Sequence, residues 1–96
     1  MEISVTPLGT PSPSVGEYVA AAVDVIRRSG LPYRVNPMGT TVEGDLEALL
    51  ALVPRVHDAV FALGVARVST LLKIDDRRDK PTCMHAKIAS VEKHLR

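Results

Sequence analysis

The 96 residues are enough for one domain with a modest core, and twelve basic against eleven acidic side chains leave a net charge of +1. With aromatic residues at only 3% of the chain, this balance disfavours a nucleic-acid-binding protein, which needs a basic face or a base-stacking surface. The single cysteine, Cys83, precludes an intrachain disulfide, and the sequence shows neither a leader pattern nor an apolar run of bilayer length. We therefore expect one cytoplasmic domain over residues 1–96, without nucleic-acid or membrane partners.

A strand and a helix are the first predicted elements. Residues 2–6 alternate between apolar and polar side chains, which predicts a half-buried strand. Ser14 and Glu17 have the spacing of a capping box, and Gly30 is expected to end the helix that follows. The apolar face predicted for this helix consists of Val15, Val19, Ala22, Val23 and Ile26.

A hairpin and a second helix are predicted next. Residues 33–38 and 40–43 have the composition of two short strands, with Gly39 allowing a tight turn between them. The second helix begins near Asp45, and we expect a kink or a break at Pro54 because proline removes a hydrogen bond of the helix. Its predicted face consists of Leu46, Leu49, Leu50, Val53, Val56, Val60 and Leu63, and Gly64 is expected to end the helix.

The last third of the chain predicts a strand, a charged loop and a helix. Residues 66–75 alternate clearly, and residues 75–80 form a charged run that we expect to be a self-paired, solvated loop rather than an anion site. A final helix is predicted to begin near Thr82. Its apolar stripe consists of Met84, Ile88, Val91 and Leu95.

This order, βαββαβ plus a C-terminal helix, predicts an α+β, ferredoxin-like sandwich with a four-stranded antiparallel sheet. Strand parity assigns the apolar strand residues to the side of the two long helices. The opposite, open face is then predicted to hold Ser4, Thr6, Arg34, Asn36, Met38, Thr41, Glu43, Arg67, Ser69, Leu71 and Lys73. This polar face suits a small-molecule site, a wet subunit interface, or simple exposure to solvent.

Metal and catalytic sites have little support in the residue pattern. The three histidines do not have the i, i+4 spacing of a helical zinc motif, so we expect no metal site. An enzyme acting on a small anion would have to use Arg77, Arg78, Lys80 and His85, and no nucleophile signature or acid–base pair accompanies them. We therefore expect no catalytic residues, no cofactor and no enzymatic activity.

Four segments, taken together and in order, resemble the family of small thiamine-binding proteins. They are I-S-V-T-P-L-G-T (residues 3–10), P-M-G-T-T-V-E-G (37–44), R-V-S-T-L-L-K-I-D-D-R-R-D-K (67–80) and S-V-E-K-H-L (90–95). The resemblance implies a ferredoxin-like fold, assembly into dimers or tetramers, and binding of thiamine or its hydroxymethylpyrimidine moiety. It implies no known catalytic activity.

The chemistry of thiamine can be matched to polar residues of the predicted strands. The predicted ligand-binding residues are Asn36, Met38, Thr40, Thr41, Glu43 and Ser69. Glu43 can accept from the pyrimidine amine, amide and hydroxyl groups can serve the ring nitrogens, and Met38 is a polarizable contact for the thiazolium. Thr40 and Thr70 belong to the helix side by parity, so they contribute only if the ligand enters between helix and sheet.

Two functions therefore remain open at the level of the sequence. The first is an oligomeric, non-catalytic binding protein for thiamine or a related pyrimidine. The alternative is a structural or regulatory oligomer, in which the polar sheet face serves only as a subunit interface.

Overall fold

The computed structural model describes residues 1–11 and 15–95. The elements along them are β1 (Glu2–Leu8), α1 (Gly16–Arg28), β2 (Tyr33–Asn36), β3 (Gly39–Val42), α2 (Leu46–Phe61), β4 (Arg67–Lys73) and α3 (Met84–His94). The strands form one antiparallel sheet in the order β2-β3-β1-β4. This arrangement confirms the predicted α+β, ferredoxin-like fold. The predicted capping box involves Ser14, which lies outside the described residues.

The strand register confirms which residues share a face of the sheet. Ile3 lies opposite Thr40 on β3 and opposite Leu72 on β4, so these three side chains point to the helices. Ser4 lies opposite Leu71 on the other, open face. The register therefore groups the paired strand residues by face as parity predicted, whereas Met38, in the hairpin turn, and Glu43, after β3, lie outside the strands.

The core lies between the sheet and the pair α1 and α2, which also pack against each other. Its most completely buried side chains are Ile26, Val42, Val56 and Val60. These come from both helices and from the central part of the sheet, so the apolar side of the sandwich is closed by two helical stripes.

Both helical faces are rotated slightly from the predicted ones. In α1 Tyr18 is buried together with the predicted Ala22 and Ile26, whereas the predicted Val19 is 38% exposed. In α2 Leu52 is buried and the predicted Leu50 is 44% exposed. The predicted Leu46 and Leu63, at the ends of that face, are exposed too. The helices contact each other as well as the sheet, so each buried stripe turns toward the neighbouring helix.

Proline and glycine positions clarify how the elements end. The second helix runs through Pro54 without a break, on an exposed side where water can reach the carbonyl of Leu50. Gly30 and Gly64 follow their helices with positive φ angles of 79° and 94°, as expected for stop residues. The hairpin turn itself consists of residues 37–38.

Gly39, which the sequence analysis placed in the turn, is the first residue of β3 and has no positive φ. A Cβ at this position would lie 3.1 Å from the backbone oxygen of Ile3. The glycine therefore permits a close approach of β3 to β1 rather than a turn conformation.

The third helix stands apart from this core. None of its described residues is buried, and Val91 and Leu95 are largely exposed. The radius of gyration is 14.9 Å, compared with about 12.5 Å expected for a compact chain of this length. The sandwich thus carries α3 as a projecting arm.

Candidate functional site

One cavity, which we call the helix–hairpin cavity, lies between α1, β1 and the β2–β3 hairpin. Its volume is about 240 Å³. It is lined by Ile3, Ser4, Val5, Thr6, Val15, Val19, Ala22, Val23, Ile26, Asn36, Pro37, Met38, Gly39, Thr40 and Val56. The cavity exists because β1 continues to Leu8 while its ladder with β3 ends at Ile3, which leaves a gap beyond the hairpin.

Three of the predicted ligand-binding residues meet in this cavity. Thr40 lies on its buried side and is 5% exposed, whereas Met38 in the hairpin turn is 83% exposed. Asn36 completes the group at the end of β2. The remaining lining is mostly aliphatic, so the cavity combines apolar walls with a few polar groups, the usual composition of a small-molecule site.

The side chain of Asn36 is held by its neighbours. Its Nδ2 donates to the hydroxyl Oγ1 of Thr41 at 3.1 Å and to the backbone oxygen of Arg34 at 3.5 Å. Thr41 itself does not line the cavity. Its contribution to a ligand there would therefore be indirect, through the orientation of the Asn36 amide.

A second, wider concavity, which we call the α3 cleft, lies between the start of α2, the end of β3 and the arm. It measures about 840 Å³ and includes Glu2, Thr41, Glu43, Lys73, Asp75, Arg77, Arg78, Met84 and Lys87 among its lining residues. Glu43 accepts a hydrogen bond at Oε1 from the backbone N–H of Met84, the first residue of α3. The structure thus uses Glu43 as a cap for the third helix, away from Asn36 and Thr40.

The charged loop before α3 is self-paired, as predicted. Arg77 bonds to both carboxylate oxygens of Asp79 at 2.6 and 2.9 Å, and Arg78 lies 2.8 Å from Asp76. These hydrogen bonds lower the pKa of Asp79 and of Asp76 below the usual range. Because both guanidinium groups are engaged by carboxylates, the loop does not present them as a ready anion clamp.

Two polar residues of β4 have separate environments. Ser69 is exposed on the open face and lines neither of the two concavities. The hydroxyl of Thr70 lies 2.6 Å from Nε2 of His57, a contact that joins β4 to α2. No spacing rule predicts this pair from the sequence, because thirteen residues separate its members.

Within residues 1–11 and 15–95, no group of three or more ligating side chains is placed to hold a metal ion. No helix in that same part of the chain is both long enough and apolar enough to cross a bilayer.

Comparisons with known proteins agree with this architecture. A family profile described as thiamine-binding protein matches residues 1–92. The UPF0045 protein YqgV of Bacillus subtilis is 41% identical to this chain, and the match covers 98% of this chain and 94% of that protein. The UPF0045 protein of Methanothermobacter thermautotrophicus is 43% identical, with 98% of this chain and 96% of that protein covered.

Solved structures give the same result. Protein MJ1052 of Methanocaldococcus jannaschii superimposes with a TM-score of 0.87 at 37% identity, over 96% of this chain and 93% of that one. A Thermotoga maritima protein, whose description proposes a role in thiamine biosynthesis or salvage, has a TM-score of 0.81 at 26% identity over 94% of each chain. The chain belongs to the thiamine-binding protein family, as the resemblance of its four segments indicated.

Proposed function

We propose that this protein is a cytoplasmic, non-catalytic binding protein for thiamine or its hydroxymethylpyrimidine moiety, and that it acts as an oligomer. The observation that carries the proposal is the helix–hairpin cavity, which brings together Asn36, Met38 and Thr40 in a member of the thiamine-binding family. Membership alone would not indicate where on the chain a ligand binds.

The size of the cavity favours the pyrimidine as the enclosed part of the ligand. Sites for drug-sized molecules measure roughly 300–1,000 Å³, and the helix–hairpin cavity is smaller, at about 240 Å³. A single substituted ring suits this space better than two linked rings. In whole thiamine, the thiazolium would extend past the exposed Met38, whose thioether is a soft contact for a cationic ring.

The hydrogen bond that Glu43 makes affects which of two places on the sheet suits the ligand. The carboxylate is engaged by the backbone of Met84, in the α3 cleft rather than in the helix–hairpin cavity. A ligand between helix and sheet would then be recognised by Asn36 and Thr40. A ligand on the open face would instead depend on Ser69 and would have to compete with α3 for Glu43.

Titration of thiamine and of hydroxymethylpyrimidine into ligand-free protein tests the proposal, with thermal unfolding measured in parallel. We expect saturable binding and a melting temperature that rises with ligand concentration, since a ligand that prefers the folded state stabilises it. Heat and melting responses that stay flat with both ligands would refute the binding function.

Substitutions then distinguish a ligand between helix and sheet from a ligand on the open face of the sheet. Thr40→Val keeps the size of the side chain and removes the hydroxyl, and we expect binding about five- to tenfold weaker, the loss of one hydrogen bond of about 1 kcal/mol. Thr70→Val is the matched control, because this threonine faces the helices but contacts His57 outside the cavity. Ser69→Ala weakens binding only if the ligand lies on the open face.

Self-association is supported by apolar surface that the single chain leaves uncovered. Leu71 is 75% exposed on the open face of the sheet, and no residue of the α3 stripe is buried within the described chain. Apolar side chains at such regular positions suit contact with a second copy. Light scattering on the purified protein tests this part of the proposal, and a monomer at micromolar concentration would contradict it.

The same surface favours the alternative of a structural or regulatory oligomer. If the protein assembles but binds neither probe, the uncovered face of the sheet functions as an interface alone.

A further inference from the structure

The edge of β1 that faces β3 is no longer paired with β3 at Val5. Met1 and Val42 exchange both of their backbone hydrogen bonds, from Met1 N to Val42 O at 2.8 Å and from Val42 N to Met1 O at 2.7 Å. In an antiparallel pair such doubly bonded positions recur at every second residue. The next doubly bonded position is Ile3 opposite Thr40, which is the last pair in the register of β1 with β3.

Odd-numbered residues of β1 therefore direct their backbone groups toward β3, and even-numbered residues direct theirs toward β4. The next odd residue, Val5, would pair with Met38 if the register continued. Met38 belongs to the hairpin turn, and the described pairing of β1 with β3 does not extend to it. The N–H and C=O of Val5 thus point into the gap beyond the hairpin, and Val5 lines the helix–hairpin cavity there.

Val5 is the one residue of β1 that presents both a backbone N–H and a backbone C=O to this gap. After Val5, the next odd position is Pro7, which has no backbone N–H. A proline at an open strand edge disfavours addition of another strand, because such a strand needs a row of donors and acceptors. The cavity edge is therefore better suited to a small molecule that needs one donor and one acceptor.

We infer that the backbone of Val5 recognises the aminopyrimidine edge of the ligand. The N–H would donate to a ring nitrogen, and the C=O would accept from the adjacent exocyclic amine. The aliphatic side chains of α1 would contact one face of the ring. This inference rests on the proposed function and adds to it the groups that determine specificity.

Two probes that differ in one substituent test the inference. The first is 4-amino-5-hydroxymethyl-2-methylpyrimidine, and the second is its 4-oxo analogue, in which the amine becomes a carbonyl and the neighbouring ring nitrogen carries a proton. The exchange reverses donor and acceptor along that edge. We expect the 4-oxo compound to bind about ten- to a hundredfold more weakly, because it leaves polar groups in the cavity unpaired.

A second readout locates the contact on the backbone. In amide-resolved NMR, saturation with the 4-amino probe should shift the Val5 N–H signal and slow its exchange with solvent. The amide of Leu71 is the internal control, because Leu71 pairs with Ser4 within the sheet and does not line the cavity. An unchanged Val5 amide in the saturated protein would overturn the inference.

The outcomes distinguish this inference from the function on which it rests. Binding of the 4-amino probe with discrimination against the 4-oxo probe supports both. Equal binding of the two probes overturns recognition by Val5 and leaves the binding function intact. Binding of neither probe overturns the binding function and the inference together.

Discussion

The helices of the sandwich and the α3 arm have the same kind of sequence pattern but differ in how far they are buried. Each of the three helices has apolar residues spaced to share one face, yet α1 and α2 bury theirs and α3 buries none. Amphipathic spacing therefore indicates which side of a helix will be covered, but not whether the covering surface belongs to the same chain. Four predictions test this contrast.

The largest effect is expected from a core residue of the sandwich. Ile26→Ala removes a side chain that is 1% exposed, and we expect it to lower the free energy of unfolding by about 2–5 kcal/mol. The matched control is Leu95→Ala in α3, where the side chain is 78% exposed and the monomer should lose less than about 0.5 kcal/mol.

Urea unfolding of both variants under monomeric conditions measures the difference. Comparable losses for Ile26→Ala and Leu95→Ala would mean that α3 is packed on the sandwich in solution, which would remove the contrast between the two regions.

The next effect concerns assembly rather than folding. Val91→Glu places a charge in the middle of the exposed stripe of α3, and we expect the oligomer to dissociate at least about tenfold more readily, because the charge would be desolvated on association. Ser90→Glu, about 100° around the same helix from Val91, adds the same charge outside the stripe. Sedimentation across a concentration series compares the two, and equal behaviour would show that the stripe is not an interface.

A smaller effect is expected where the arm joins the sandwich. Glu43→Ala removes the oxygen that accepts from Met84 N–H, and we expect a local loss of about 0.5–2 kcal/mol at the start of α3. Glu43→Gln retains an acceptor oxygen and should lose less. Hydrogen exchange of the Met84 and Ala86 amides measures it, and unchanged exchange in Glu43→Ala would show that the cap does not stabilise the arm.

Most of the fold could be predicted from the sequence, because local rules determine it. Period-two alternation correctly grouped the paired strand residues by face, and Gly30 and Gly64 were correctly identified as helix stops. The exact buried stripe of each helix could not be predicted, since it depends on how α1 and α2 pack against each other. In α2, Leu52 rather than the predicted Leu50 is buried.

The helix–hairpin cavity could not be predicted from the sequence, because it depends on the relative lengths of the strands. β1 extends two residues farther than predicted, to Leu8, while β2 ends at Asn36 rather than at Met38. Both differences enlarge the gap beyond the hairpin. The cap formed by Glu43 was equally inaccessible, because 41 residues separate it from Met84. The six predicted ligand contacts, Ser69 among them, stay predictions.

The smallest effect is the pH dependence of the arm. The pKa of Asp75 is lowered, first by the hydrogen bond from Lys87 and then by the charge of that ammonium group. Because the folded pKa lies below the unfolded value of about 3.9, the pair stabilises the arm fully above that value. The stabilisation disappears as the pH falls through the lowered pKa.

Hydrogen exchange of α3 amides, compared between neutral pH and pH values below about 4, measures this loss. Asp75→Asn should abolish the part of the pH dependence that belongs to this pair, and added salt should reduce it, because both partners are exposed and screened by ions. Identical pH profiles for the variant and the unmodified chain would mean that the Lys87 contact does not hold the arm, leaving the Glu43 cap as its principal attachment.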